Sequence, residues 1–232
     1  MNHQSKELLD RVGAGAGIAA VVLLVALFTV FPSLPAPDHS IGEIARKATG
    51  ESDGLLLSAY AGTLMTGALL LFGASLAARL RRAEGAGGGW WLVALVGIGG
   101  TSIGFVGNAL ELVFVRAVGH GTRGDALWIG YGADHWLGVL IAIPLALFLL
   151  GVGLGARATG ILPRWLAWAS FAPAALFVAG AGSVAGDEVD GGILGTLLVL
   201  AYLGLLVWIV ATSVWMLRRA SGARVEPATV VG

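Results

Sequence analysis

Apolar residues fall in long unbroken runs along this chain, not in strict alternation or narrow amphipathic stripes. A helix that crosses the hydrocarbon layer needs about 20 mostly apolar residues at 1.5 Å rise each. Six runs meet that length, at 12–31, 55–78, 90–118, 126–154, 165–185 and 193–217. The first, second, fifth and sixth hold no charged residue, and the third and fourth are longer than a span requires, which predicts tilt or projection beyond the bilayer. The expected fold is all-α: one polytopic transmembrane bundle of about six helices over 12–217, between an N-terminal segment (1–11) and a C-terminal tail (218–232). The first run is followed by Pro32-Ser33-Leu34-Pro35-Ala36-Pro37, as the core of a secretory signal can be. Its apolar stretch is too long for such a core, however, and Glu7 and Asp10 dilute the positive start, so it reads as a retained helix.

The polar stretches between the runs carry their own signals. In the longest, Ser40 and Glu43 form an S-x-x-E capping box, and Ile41, Ile44, Ala45 and Ala48 then recur at helical spacing up to Gly50. This predicts a short amphipathic helix near 40–49 on the outer surface of the bundle. Pro144 and Pro173 lie inside apolar runs, where each removes a hydrogen bond to the carbonyl four residues back, so both predict kinks. The pairs Gly13 and Gly17, Gly100 and Gly104, and Gly151 and Gly155 repeat a small residue every fourth position, a spacing that marks close helix contacts.

Composition narrows the function classes. The chain is 57% hydrophobic and 12% charged, against about 25% charged for a soluble domain, and its mean hydropathy is +0.86. The 14 basic and 14 acidic residues cancel, so no basic field exists to attract nucleic acid. The absence of cysteine removes disulfides, thiolate nucleophiles, iron–sulfur clusters and cysteine-based zinc sites. Of the four histidines, only His135 falls well inside an apolar run, which excludes a haem held by two facing histidines. No cofactor motif occurs. Orientation follows from basic residues in the short loops. With both termini cytoplasmic, Arg46, Lys47, Arg116 and Arg123 lie outside and the other ten of the 14 lie inside. The acidic run Gly186-Asp187-Glu188-Val189-Asp190 then falls outside as well. A multi-pass plasma-membrane protein, with the lipid bilayer as its solvent, is the expected setting.

Ionisable groups in the bilayer cost about 2.5–3.5 kcal/mol each on insertion scales, so they face the interior of the bundle and acquire partners. Glu111, Asp134 and His135 are such groups. Counting at 1.5 Å per residue from the outer ends of the third and fourth runs puts Glu111 and Asp134 at roughly matching depths, on the order of 10 Å. Asn108 precedes Glu111 by three positions and Tyr131 precedes His135 by four, so these side chains share faces. Tyr60, Thr63 and Thr196 start from the outer side at comparable depth. These residues define an outward-facing polar pocket that could bind a small ligand or a proton, in a transporter or receptor-like protein. In a second interpretation the same groups only hold helices together, in a structural or interaction component of the envelope. A metal-assisted hydrolase is a third, for which one histidine and two carboxylates are a thin ligand set lacking a separate base.

The order of features resembles that of a family of six-helix membrane proteins of high-GC bacteria. The resemblance rests on Asp38-His39-Ser40-Ile41-Gly42-Glu43-Ile44-Ala45, on the boundary from Arg79 to Gly85, and on Thr159-Gly160-Ile161-Leu162-Pro163-Arg164-Trp165-Leu166-Ala167-Trp168. It covers most of the chain and implies the topology above. These motifs are topological, and no activity or site residue comes with them.

Overall fold

The computed structural model describes residues 3–34, 39–122, 125–182 and 192–222; the acidic run at 186–190 lies outside them. Among the described residues the regular structure is helical throughout: α1 (His3–Thr29), α2 (Ile41–Gly50), α3 (Ser52–Glu84), α4 (Trp90–Gly100), α5 (Ile103–Gly119), α6 (Asp125–Leu140), α7 (Ala142–Thr159), α8 (Arg164–Ala169), α9 (Phe171–Ala181) and α10 (Ile193–Gly222). Five stretches are long and apolar enough to cross a membrane: Leu8–Thr29, Ser52–Glu84, Trp90–Gly119, Leu127–Thr159 and Ile193–Arg219. The apolar run at 165–185 takes a different form. It is divided at Ser170 into α8 and α9, neither of which is long enough alone.

The two prolines account for two of the helix breaks. Pro144 has no N–H to offer the carbonyl of Leu140, and α6 ends at that residue. In the same way Pro173 offers nothing to Ala169, where α8 ends. At this second break Ser170 Oγ donates to the Ala167 carbonyl at 2.8 Å and the indole Nε1 of Trp208 donates to that of Leu166 at 3.1 Å. Carbonyl groups exposed by the break therefore find donors inside the bundle, as an apolar environment demands.

A third break, between α4 and α5, has no proline. The run Gly99, Gly100, Thr101 and Ser102 combines residues of poor helix propensity. Its amides bond three residues back, Thr101 to Ile98 at 3.1 Å and Ser102 to Gly99 at 3.0 Å, while Thr101 Oγ1 also donates to the Ile98 carbonyl. This break lies against that of α6 and α7, because a Cβ on Gly100 would stand 2.7 Å from Pro144 Cβ. Two interrupted spans thus meet about halfway along their length.

Packing divides at the same level. The larger core includes Phe72 of α3, Phe148 of α7 and Trp208 of α10, whose rings meet edge-on with centroids 6.0–6.5 Å apart. A separate smaller core joins Ile44 and Ala48 of α2, Leu55 of α3, Phe114 and Val115 of α5, and Leu127 and Tyr131 of α6. The amphipathic helix is therefore present as α2, with Ser40 as N-cap and both bonds of the capping box formed. Close contacts follow the small-residue pairs: Gly17 faces Ser213 and Phe72, Gly155 faces Leu80, and Gly151 lies against the backbone of Ala94. Around the outside, Val22, Leu71, Val96, Val113, Val199 and Val207 are exposed. An apolar belt of this kind is the surface of a protein that sits in lipid.

Candidate functional site

α5 and α6 form the wall of a cavity at the end of the bundle where α1 finishes and α3 begins. Glu111 from α5 and Tyr131 and His135 from α6 line it, facing Leu27 and Phe28 of α1, Pro32, Ser33 and Leu34 of the following loop, and Ser58 of α3. Its volume is about 240 Å³. Tyr131 and His135 share a face because four residues make about one helical turn. Tyr131 is anchored by the small core, its ring 5.4 Å from that of Phe114. The His135 ring meets Trp136 edge-on at 5.6 Å. Its Nε2 atom is buried and makes no hydrogen bond among the described residues. Glu111 and Tyr131 each already interact within the chain.

The other residues singled out by pattern lie elsewhere. Asn108 turns toward α3, its carboxamide packed over Gly62, and does not line the cavity. Positions three apart on a helix diverge by about 60°, enough to send Glu111 to the cavity and Asn108 to the helix interface. Asp134 belongs to α6 by its backbone, but its side chain lies outside the described residues. Tyr60 is exposed, and so are Thr63 and Thr196. The hydroxyls of Thr63 and Thr196 bond carbonyls of their own helices, those of Ala59 and Gly192. On α3 the residue facing the cavity is Ser58, two positions before Tyr60 and so about 200° around the helix.

Phe28 and Leu34 were not marked by any sequence signal, since nothing in an apolar run or a proline-rich loop announces which distant helix it will meet. Phe28, 71% exposed, also lines a second cavity of about 240 Å³. That one is apolar, set among Leu24 of α1, Met65 and Leu69 of α3, Gly138 of α6, and Tyr202 of α10. A polar chamber and an apolar chamber therefore share one residue in their linings.

A carboxyl, a phenol and an imidazole around one opening can exchange hydrogen bonds and protons with a small solute. Among the described residues no three His, Asp or Glu side chains converge as metal ligands. Comparison of the chain with protein-family models, curated proteins and solved structures finds no match. Fold and site define an all-helical membrane protein with a polar cavity at one end of its bundle.

Proposed function

We propose that this chain binds, and by that means transports or senses, a small polar solute or a proton through the cavity of Glu111, Tyr131 and His135. The observation that carries this reading is that His135 lines the cavity while its buried Nε2 makes no hydrogen bond among the described residues. A buried polar atom left unmatched costs roughly 1–3 kcal/mol, so a ligand that pairs with it gains what the empty protein lacks. The excess of Arg and Lys at the opposite end supports an orientation with both termini in the cytoplasm and the cavity open to the outside of the plasma membrane.

The test is a thermal-unfolding screen of the full chain in nanodiscs against small metabolites between pH 5 and 8, on the parent, Glu111→Gln and His135→Gln. A specific binder raises the parent's midpoint, and both variants keep the parent's unliganded midpoint while losing the rise. Loss of stability in both variants, with no compound shifting the parent, overturns the reading. That result is the one expected of a second reading, in which the cluster only holds helices together. The interactions that Glu111 and Tyr131 already make within the chain favour this second reading.

A further inference from the structure

At the other end of the bundle, where α1 begins and α3 and α10 end, three arginines and one carboxylate line a common cavity. Asp10 Oδ2 forms an ion pair with Arg79 Nη2 at 3.2 Å, and Asp10 Oδ1 accepts from Arg82 Nη2 at 3.5 Å. With Arg219 they line a cavity of about 340 Å³ whose remaining walls are Ala83 and Ile161. Asp10 is the only acid among these lining residues, so three positive charges meet one negative and two are left over.

Helix-end arginines are usually solvated and need no ligand, but Arg79 departs from that pattern. Its side chain is only 13% exposed, and its Nη1 is buried with no acceptor among the described residues. Its guanidinium lies 5.4 Å from the centre of the Trp215 ring, and that of Arg219 lies 5.2 Å from the same ring. One indole therefore holds two guanidinium groups near a single opening. Desolvated and stacked, a guanidinium has little freedom left to lose when it pairs, and its planar fork matches the oxygens of a phosphate.

We infer that this cavity is a binding site for a phosphate group, with Arg79 and Arg219 as the principal donors and Arg82 completing the cradle. A phosphate monoester carries close to two negative charges at neutral pH, which balances the surplus. The source can be an anionic lipid headgroup, since the site lies at the end of the membrane spans, or a soluble phosphate; the chemistry of recognition is the same. This site stands apart from the polar cavity: Asp10 and Phe28 are 18 residues apart on α1, roughly 27 Å at the helical rise.

The experiment uses the full-length protein, delipidated in a neutral detergent at fixed ionic strength. Thermal unfolding and native mass spectrometry are read with phosphatidic acid, with phosphatidylcholine and with inorganic phosphate. Phosphatidic acid is expected to raise the parent's midpoint and remain bound, with phosphatidylcholine much weaker. Arg219→Gln and Arg82→Gln, both at solvent-reached positions, weaken that binding by on the order of tenfold, as loss of a charge-assisted pair does. Arg79→Lys, which keeps the charge and loses the fork, does the same. An equal shift with inorganic phosphate, to which the lipid adds nothing, assigns the site to a soluble phosphate. The inference is overturned when neither phosphate source separates the parent from Arg219→Gln, or when Arg164→Gln, a change at an exposed arginine outside the cavity, weakens binding as much.

Discussion

The carboxamide of Asn108 occupies the space that Gly62 leaves open on α3. A methyl group at position 62 would overlap the carboxamide oxygen and stand 3.0 Å from its carbon. Gly62→Ala is therefore expected to destabilise the protein by about 1–3 kcal/mol, the usual range for overpacking. Asn108→Ala in the same chain should recover most of that loss, because it removes the group that is struck. Thermal unfolding of the two single variants and the double variant gives the coupling directly; independent, additive effects would contradict the contact.

The seam between α4 and α7 should tolerate substitution least. A Cβ on Gly151 would stand 2.5 Å from the Ala94 amide nitrogen, and one on Gly97 would run into the backbone of Phe148. Unlike a side chain, backbone has no rotamer to move into. Gly97→Ala and Gly151→Ala are each expected to cost about 2 kcal/mol or more. Gly99→Ala, with nothing within 4 Å of its added methyl, should be neutral or slightly stabilising, since Ala is the better helix former. A midpoint for Gly99→Ala as low as that of Gly97→Ala would show that close backbone contact does not decide which of these glycines is required.

Trp208 is 2% exposed, and its indole serves the Leu166 carbonyl at the break between α8 and α9. Trp208→Phe keeps most of the ring and removes the donor. An expected loss of about 1–3 kcal/mol follows from leaving a buried carbonyl unmatched, read as a lower midpoint in detergent. A midpoint equal to the parent's would mean that the carbonyl finds another donor.

Acid should loosen α2. Ser40, through its side chain first and its backbone second, holds the Glu43 carboxyl below its ordinary value of 4.5. The folded state thus favours the ionised form, so its contribution is complete above that ordinary value and is lost as pH falls through the lowered one. A nitroxide on Thr49→Cys, in a chain that has no cysteine of its own, should gain mobility as the pH is taken below 4.5. Ser40→Ala should remove most of this dependence. A flat profile in the parent would show that burial of Ile44 and Ala48, not the cap, holds the helix.

Much of this architecture is legible in the order of residues, and the reasons differ by element. Apolar runs identify the spans because every backbone group in lipid must bond within its own helix, which leaves length and hydropathy as the deciding variables. Pro144 and Pro173 locate two breaks because the missing N–H acts on a carbonyl at a known offset. The break at Thr101 and Ser102 is different. Glycine, threonine and serine are frequent in membrane helices without interrupting them, and only the fold shows that this run lies where Gly100 packs on Pro144. In the polar cavity, Glu111, Tyr131 and His135 can be picked out as rare groups in an apolar setting. Ser58, Phe28 and Leu34 cannot, because their presence there depends on how α1 and α3 lie against α5 and α6. Asn108 shows the limit of face arguments, since a side chain three positions away can serve a neighbouring helix instead.

Phe28 remains, a residue that lines both the polar cavity and the apolar one. A residue shared by two cavities links them through its own rotamer: a shift of the Phe28 side chain changes the shape of both. Leu24, Met65 and Leu69, which help to line the apolar chamber, belong to stretches long and apolar enough to cross a membrane. Under the proposed function, affinity at the polar opening is expected to change with acyl-chain length even where no headgroup does, because Phe28 lines both chambers.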